Sequence, residues 1–255
     1  MEIWHSIVLG IVEGITEFLP ISSTGHLILF SELLNIKQSV FTKSFEIIIQ
    51  LGAIASVVFL YWKTLWNWAM IKKLLFAFVP TAIIGLVLYS TVKTYLLGNS
   101  LVVVLALAIG GIVMIVLEKY HLKPDAIDSK PESISYKNAF IVGLFQTIAM
   151  IPGVSRSAST IIGGQLLGLK RKTIVEFSFL LAVPTMIAAS GLDLFKSYKE
   201  FEVSQFGVLA IGFVVSFIVA LFSIKFLLKY IQKHNFVAFG VYRIIIAILF
   251  WLIIL

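Results

Sequence analysis

Gly10-Ile11-Val12-Glu13-Gly14-Ile15-Thr16-Glu17-Phe18-Leu19-Pro20-Ile21-Ser22-Ser23-Thr24-Gly25-His26 decides the fold, because a diverged copy of this stretch follows later in the chain. That copy is Gly143-Leu144-Phe145-Gln146-Thr147-Ile148-Ala149-Met150-Ile151-Pro152-Gly153-Val154-Ser155-Arg156-Ser157-Ala158-Ser159. An offset of 133 residues carries Gly10 onto Gly143, Glu13 onto Gln146, Ile15 onto Ile148, Ser22 onto Ser155 and Thr24 onto Ser157. Each copy is apolar, breaks at a proline (Pro20 or Pro152, one place out of register) and resumes with hydroxyl residues. Proline removes a backbone donor and clashes with the preceding turn, so each copy reads as two half-helices around a break.

The surrounding composition says where such a break must sit. Hydrophobic residues make up 60% of the 255-residue chain and charged residues only 13%, against about 25% charged in soluble domains. With a mean hydropathy of +1.04, the chain reads as an all-α integral membrane protein. No cysteine is present, which excludes disulfides, thiolate metal sites and thiol nucleophiles. Met1-Glu2-Ile3-Trp4-His5 lacks a basic segment, and the next apolar stretch carries Glu13 and Glu17, so this start does not read as a cleavable signal peptide. The net charge of +7 is spread over the loops between apolar stretches; it points to membrane orientation and not to nucleic acid.

A crossing helix needs roughly 20 apolar residues. Six stretches qualify: 45–62, 74–91, 101–117, 177–192, 206–224 and 236–255. The two motif stretches, about 6–34 and 139–169, are interrupted, and broken backbone is tolerated at membrane depth only where protein or a water-filled cavity covers it. Both are therefore expected to be re-entrant helical hairpins. Each repeat is one hairpin plus three crossings, so the second repeat starts on the opposite face from the first, as in inverted-topology repeats. The expected organisation is one membrane domain over 1–255: repeat one at about 1–118, a polar linker at about 119–138 and repeat two at about 139–255. The linker carries Lys123, Pro124, Asp125, Asp128, Lys130, Pro131 and Glu132.

Basic residues orient this arrangement. Thirteen of the twenty lysines and arginines fall on the face holding the 62–73 loop, the linker, Lys170-Arg171-Lys172, Lys225, Lys229 and Lys233; five (Lys37, Lys43, Lys93, Lys196 and Lys199) fall on the other. The positive-inside rule makes the richer face cytoplasmic, with both termini outside. Arg156 and Arg243 remain within the membrane.

Glu13 and Glu17 stand i, i+4, so both carboxylates share one helix face. A carboxylate at the bilayer centre costs roughly 2.5–3.5 kcal/mol on the insertion scale; a divalent cation, an arginine or protonation would offset it. Ser22, Ser23 and Thr24 follow the first break, and Ser155, Ser157, Ser159 and Thr160 the second. A helix start favours anions through its free N–H groups and dipole, so two starts meeting at the midplane would surround one anion with donors. Arg156 brings a planar fork suited to phosphate, and it could also pair with Glu13 or Glu17. His26 lies within the motif and can exchange a proton near neutral pH. Glu46 and Glu176 are read as helix N-terminal caps, Arg243 as a structural partner, and Gly110-Gly111 and Gly163-Gly164 as sites of close helix contact.

Through Glu13-Gly14-Ile15-Thr16-Glu17, the following Phe18–His26 run and Pro152-Gly153-Val154-Ser155-Arg156-Ser157-Ala158-Ser159-Thr160, essentially the whole chain resembles the undecaprenyl pyrophosphate phosphatase, or bacitracin-resistance, family. The resemblance implies an enzyme of the bacterial cell membrane, its site facing outward, that removes one phosphate from undecaprenyl diphosphate to recycle the cell-wall carrier lipid. It implies a divalent cation, Mg2+ or Ca2+, held by Glu13 and Glu17, and a homodimer. Bacitracin would compete indirectly by sequestering the substrate. It assigns catalysis to Ser23, His26, Glu17 and Arg156, and phosphate binding to Ser22, Thr24, Ser155, Arg156, Ser157 and Thr160. Ser23 as nucleophile and a metal-activated water both remain open at this point. An inverted-repeat transporter or flippase of a phosphorylated lipid shares the architecture without the chemistry; release of inorganic phosphate separates the two.

The topology carries its own test. Cysteines introduced at Lys130 and Lys199 are expected to react with impermeant thiol reagents from opposite sides of the intact membrane. Labelling from one side would overturn the inverted repeat.

Overall fold

A computed structural model describes residues 1–255 apart from 38, 97–98, 121–129, 198–204 and 255. Lys123, Pro124, Asp125 and Asp128 of the linker, together with His121 and Lys199, lie outside the described residues.

The described residues form ten α-helices: α1 (Ile3–Thr16), α2 (Ser23–Leu33), α3 (Val40–Leu65), α4 (Trp68–Thr91), α5 (Ser100–Tyr120), α6 (Tyr136–Thr147), α7 (Arg156–Leu166), α8 (Arg171–Ser197), α9 (Phe206–Tyr230) and α10 (Val237–Ile254). No strand occurs among them. Five stretches are long and apolar enough to cross a membrane: Phe41–Leu65, Trp68–Leu88, Ser100–Lys119, Arg171–Gly191 and Phe206–Tyr230. The sixth expected crossing corresponds to α10, an apolar helix that starts at Val237, where the Asn235 side chain accepts from Val237 N, and of which Val237–Ile253 counts as a shorter apolar helix. Exposed Trp62, Trp66 and Trp68 surround the α3–α4 turn beside Lys63, the amphipathic composition of a membrane boundary.

Both motif stretches are broken. α1 and α2 pack on each other, as do α6 and α7. A single turn of 3-10 helix (Ile148–Met150) extends α6 before its break. The break itself is sharper than proline alone predicts: Ser22 has φ +72 and Ser155 φ +76, a left-handed backbone that non-glycine residues seldom adopt. These two strained serines occupy matching places in the two copies. Each then caps the half-helix it begins, Ser22 Oγ accepting from Gly25 N at 3.4 Å and Ser155 Oγ from Ala158 N at 3.2 Å.

The two repeats exchange partners. α1 packs along α9, and α6 packs along α4, so the first half of each hairpin lies on a long helix of the other repeat. Glycines permit the approach: a Cβ on Gly14 would meet Val219 and the Ser216 carbonyl, and one on Gly143 would collide with the Ala77 carbonyl. Small residues where helix backbones touch are the usual means of packing in lipid. The Ser6 hydroxyl reaches Val208 O at 2.7 Å, and the Thr81 hydroxyl reaches Gly143 O at 3.2 Å. α3 packs on both α8 and α9, and α5 on α10.

Helix ends that the sequence assigns to one face do meet. The Glu118 carboxylate at the end of α5 pairs with Arg171 at the start of α8 at 2.7 Å, and accepts from Phe236 N before α10 at 3.3 Å. The Gly163 and Gly164 positions press against Phe145 and Ile174, as close helix contact requires. The cap reading of Glu46 and Glu176 is corrected: α3 starts at Val40 behind a Ser39 cap and α8 at Arg171, so both glutamates lie inside their helices. Each helix begins before its apolar stretch does, and composition alone placed the starts too late.

Candidate active site

The site grows out of the two breaks. Each begins its second half-helix with one functional residue, Ser23 after Ser22 and Arg156 after Ser155, and these share the same place in the repeat. Glu17, the residue capping the C-terminal end of α1, lies between them. Its Oε2 accepts from Ser23 Oγ at 2.6 Å, and its Oε1 pairs with an Arg156 Nη at 2.8 Å. One carboxylate thus joins a hydroxyl of the first hairpin to a guanidinium of the second. The other Arg156 Nη donates to Ser178 O at 2.9 Å and lies 3.5 Å from Ser178 Oγ, which aims the fork from α8. The ring of Phe18 lies 5.8 Å from the guanidinium carbon.

This triplet opens into a cavity of about 140 Å³ lined by Glu17, Ser22, Ser23, Thr24, Ser155 and Arg156, with Gln50 of α3 on one wall. Ala149, Ile151, Pro152 and Met186 form an apolar wall. A cavity with a polar floor and an apolar flank suits the head of an amphiphilic anion. The first turns of α2 and α7 supply free N–H groups at both breaks, the feature that makes helix starts anion sites.

Of the sequence-derived site residues, Glu17, Ser22, Ser23, Thr24, Ser155 and Arg156 come together here. Three others are turned away. Ser157 Oγ donates to Phe18 O at 2.8 Å, tying one hairpin to the other, and Thr160 Oγ bonds Ser178 Oγ at 2.6 Å and Arg156 O at 3.0 Å. Both are fully buried. Ser157 is turned by one residue, about a quarter of a helix circumference, from Arg156, and Thr160 lies one turn further along the same face, against the Ser178 that also holds Arg156.

His26 is likewise directed elsewhere. Its Nδ1 lies 2.8 Å from Ser22 O and its Nε2 2.8 Å from Tyr242 Oη. A carbonyl only accepts, so Nδ1 carries a proton and donates to Ser22 O, while Nε2 shares a hydrogen bond with the tyrosine hydroxyl. The imidazole therefore props the strained Ser22, as the Ser159 hydroxyl at the matching place does for Ser155 O at 3.0 Å.

Glu13 lies one turn below Glu17, fully buried, with neither carboxylate oxygen hydrogen-bonded. Its counterpart Gln146 is served by hydroxyls, donating to Thr81 at 2.9 Å and Thr185 at 3.0 Å. An orphaned buried carboxylate beside a second one fits a hard divalent cation, which takes oxygen ligands. No group of three or more His, Cys, Asp or Glu side chains able to hold a metal occurs among the described residues. An ion at this pair would draw the rest of its shell from phosphate oxygens and water.

Residues beyond the motifs also matter. Gln50, Ser178, Tyr242 and Arg243 all contact the site or its breaks. Of these, only Arg243, a charge within an apolar stretch, carries a sequence signal strong enough to single it out.

Together these features define a multi-pass membrane protein with a buried polar cavity between two broken helices. The chain belongs to the family described as bacitracin resistance protein BacA, whose model matches residues 6–249. It is 51% identical to an "Undecaprenyl-diphosphatase" of Sulfurihydrogenibium sp. over 99% of both chains. It is likewise 51% identical to a protein of that name from Aquifex aeolicus, over 98% of both. With its namesake from Wolinella succinogenes it shares 52% over 98% of this chain and 97% of the relative.

The contacts separate ligand groups from braces. Ser157→Ala is expected to lower the melting temperature in detergent through loss of a bond of about 1 kcal/mol, while KM for substrate stays within about twofold. A large rise in KM with an unchanged melt would return Ser157 to the phosphate site.

Proposed function

We propose that this chain hydrolyses undecaprenyl diphosphate to undecaprenyl phosphate and inorganic phosphate. The observation that carries this reading is Glu17 bonded at once to the Ser23 hydroxyl and the Arg156 guanidinium inside the cavity. The extent of identity to relatives bearing that activity as their name supports it. The lipid's diphosphate would occupy the polar floor, and its chain would leave along the apolar flank formed by Ile151 and Met186.

Phosphoryl transfer is mainly positioning and stabilisation of charge on the transferred group. In this reading Arg156 exchanges its bond with Glu17 for the terminal phosphate, placing a bidentate fork on the equatorial oxygens. The helix-start amides of α2 and α7 add donors that need no reorganisation. Ser23 Oγ attacks the terminal phosphorus and Glu17 Oε2 takes its proton. The bond from that phosphorus to the bridging oxygen breaks, and undecaprenyl phosphate leaves with the electron pair. Water then attacks the phosphoserine; its proton passes to solvent, Glu17 returns its own proton to Ser23 Oγ, and inorganic phosphate departs. His26 holds Ser22 and hence the start of α2. A divalent cation held by Glu13 and Glu17 would neutralise phosphate charge.

The membrane arrangement in this reading has six crossings, α10 being the sixth, with the two hairpins re-entering from opposite faces. The basic face is cytoplasmic and the cavity opens outward, where the spent carrier lipid is released. The exchange of partners between α1–α9 and α6–α4 supports it.

Steady-state release of inorganic phosphate from undecaprenyl diphosphate by purified protein tests the reading. Arg156→Lys keeps the charge but loses the fork, and kcat/KM is expected to fall by about 100-fold or more with the fold intact. Ser23→Ala is expected to abolish turnover; measurable residual turnover would make water the attacking group. Near-normal turnover in Arg156→Lys would remove the clamp and favour translocation of lipid over hydrolysis.

The cation has a separate test. Thermal melts of the substrate-free protein are expected to rise with added Mg2+ or Ca2+ and to lose that response in Glu13→Gln. Glu17→Gln is expected to be the more damaging to turnover, since the second repeat already carries Gln146 at the place of Glu13. Equal melts with and without chelator would exclude an ion at this pair.

A further inference from the structure

Arg243 is the largest fully buried side chain among the described residues, and the chemistry described above does not use it. Among the described residues it carries no ion pair; its whole donor set is spent on backbone carbonyls. One Nη donates to Pro20 O at 3.3 Å and Val154 O at 2.9 Å. The other donates to Gly153 O and Ala106 O, both at 3.0 Å, and Nε donates to Leu107 O at 3.4 Å. Pro20 and Gly153 are equivalent residues of the two motif copies. A single guanidinium from α10 therefore bonds the same carbonyl in each broken hairpin and fastens both to α5.

The chain makes room for it. A Cβ on Gly110 would strike the guanidinium, while Gly111 and Gly240 let α5 and α10 touch backbone to backbone. Gly153 and Val154 immediately precede Ser155 and Arg156, and Pro20 lies three residues before Ser23. We infer that Arg243 is a positioning residue for the phosphatase site: an internal staple that fixes the separation of the two hairpins, and through it the register of Ser23 with Arg156. It touches no substrate. Its fork geometry matters because carbonyls from three segments must be met at once, and an ammonium cannot span them.

This inference rests on the phosphatase reading for its turnover readout, and a distance measurement stands apart from that reading. The chain has no cysteine, so spin labels at Leu33→Cys of α2 and Leu166→Cys of α7, both exposed, report the hairpin separation by dipolar spectroscopy in the full-length protein. Arg243→Lys is expected to broaden that distance distribution and to lower kcat about 100-fold, the scale of a misplacement of about 1 Å, with KM within about threefold. Gly110→Ala leaves every charge in place and displaces only the guanidinium, so the same broadening and a smaller loss of kcat are expected. Should Arg243→Lys not fold, Gly110→Ala decides alone. A kcat within twofold of the parent in the folded variants, or a loss of kcat with an unchanged distance distribution, would overturn the staple. Failure of both variants to fold would make Arg243 a residue of stability and would overturn it equally. Absence of turnover in the spin-labelled parent would instead sink the phosphatase reading and leave the distances to judge the staple.

Discussion

A backbone interrupted inside an apolar medium must find its hydrogen-bond partners within the protein, and the whole molecule is arranged around meeting that demand twice. Each break frees N–H groups on one side and carbonyls on the other. The N–H groups are met partly by the serine that forms the break, Ser22 or Ser155, bending back to its own half-helix. The carbonyls of both breaks turn to one buried guanidinium, that of Arg243. Unmet buried polar groups cost about 1–3 kcal/mol each, so these bonds account for broken helices persisting at this depth. Close packing of α1 on α9 and α6 on α4 then holds the first half of each broken helix against the bundle.

Chemistry comes from the places where the two copies differ. The scaffold of break, left-handed serine and cap is shared. Upon it Ser23 stands where the other copy has Arg156, Glu17 where it has Met150, and Glu13 where it has Gln146. The substitutions put a hydroxyl and a carboxylate on one hairpin and the cation on the other, so neither copy alone could work on a phosphate. The contrast at Glu13 is the clearest. Gln146 donates its amide N–H groups to two threonine hydroxyls and leaves only its Oε1 without a partner, whereas neither carboxylate oxygen of buried Glu13 has one. A group kept in that state has a cost to the fold, and such costs concentrate at functional sites.

The helical class, the pair of interrupted helices and the position of both breaks were legible from residues 10–26 and 143–159 because they depend on local rules: apolar length, proline, and hydroxyls at helix starts. The charged residues at membrane depth identified Glu17 and Arg156 for the same reason, since burying a charge in lipid needs a cause wherever it occurs. Even the choice of serine as the first residue after each break follows from local capping chemistry.

Which of those polar residues face one another was not in the spacing. Ser157 and Thr160 follow Arg156 as closely as any phosphate ligand would, yet the rotation of α7 against α8 sends them to Phe18 and Ser178. His26 shares the motif with Ser23, but the stacking of Tyr242 from the last helix decides that its ring supports Ser22. Gln50 reaches the cavity, and Ser178 reaches Arg156, from helices that carry no motif. Sequence alone therefore determined the material of the site, broken helices bearing hydroxyls and opposed charges. Tertiary packing decided its wiring, because a side chain's partner across helices is set by the rotation and approach of whole helices, which no residue encodes locally.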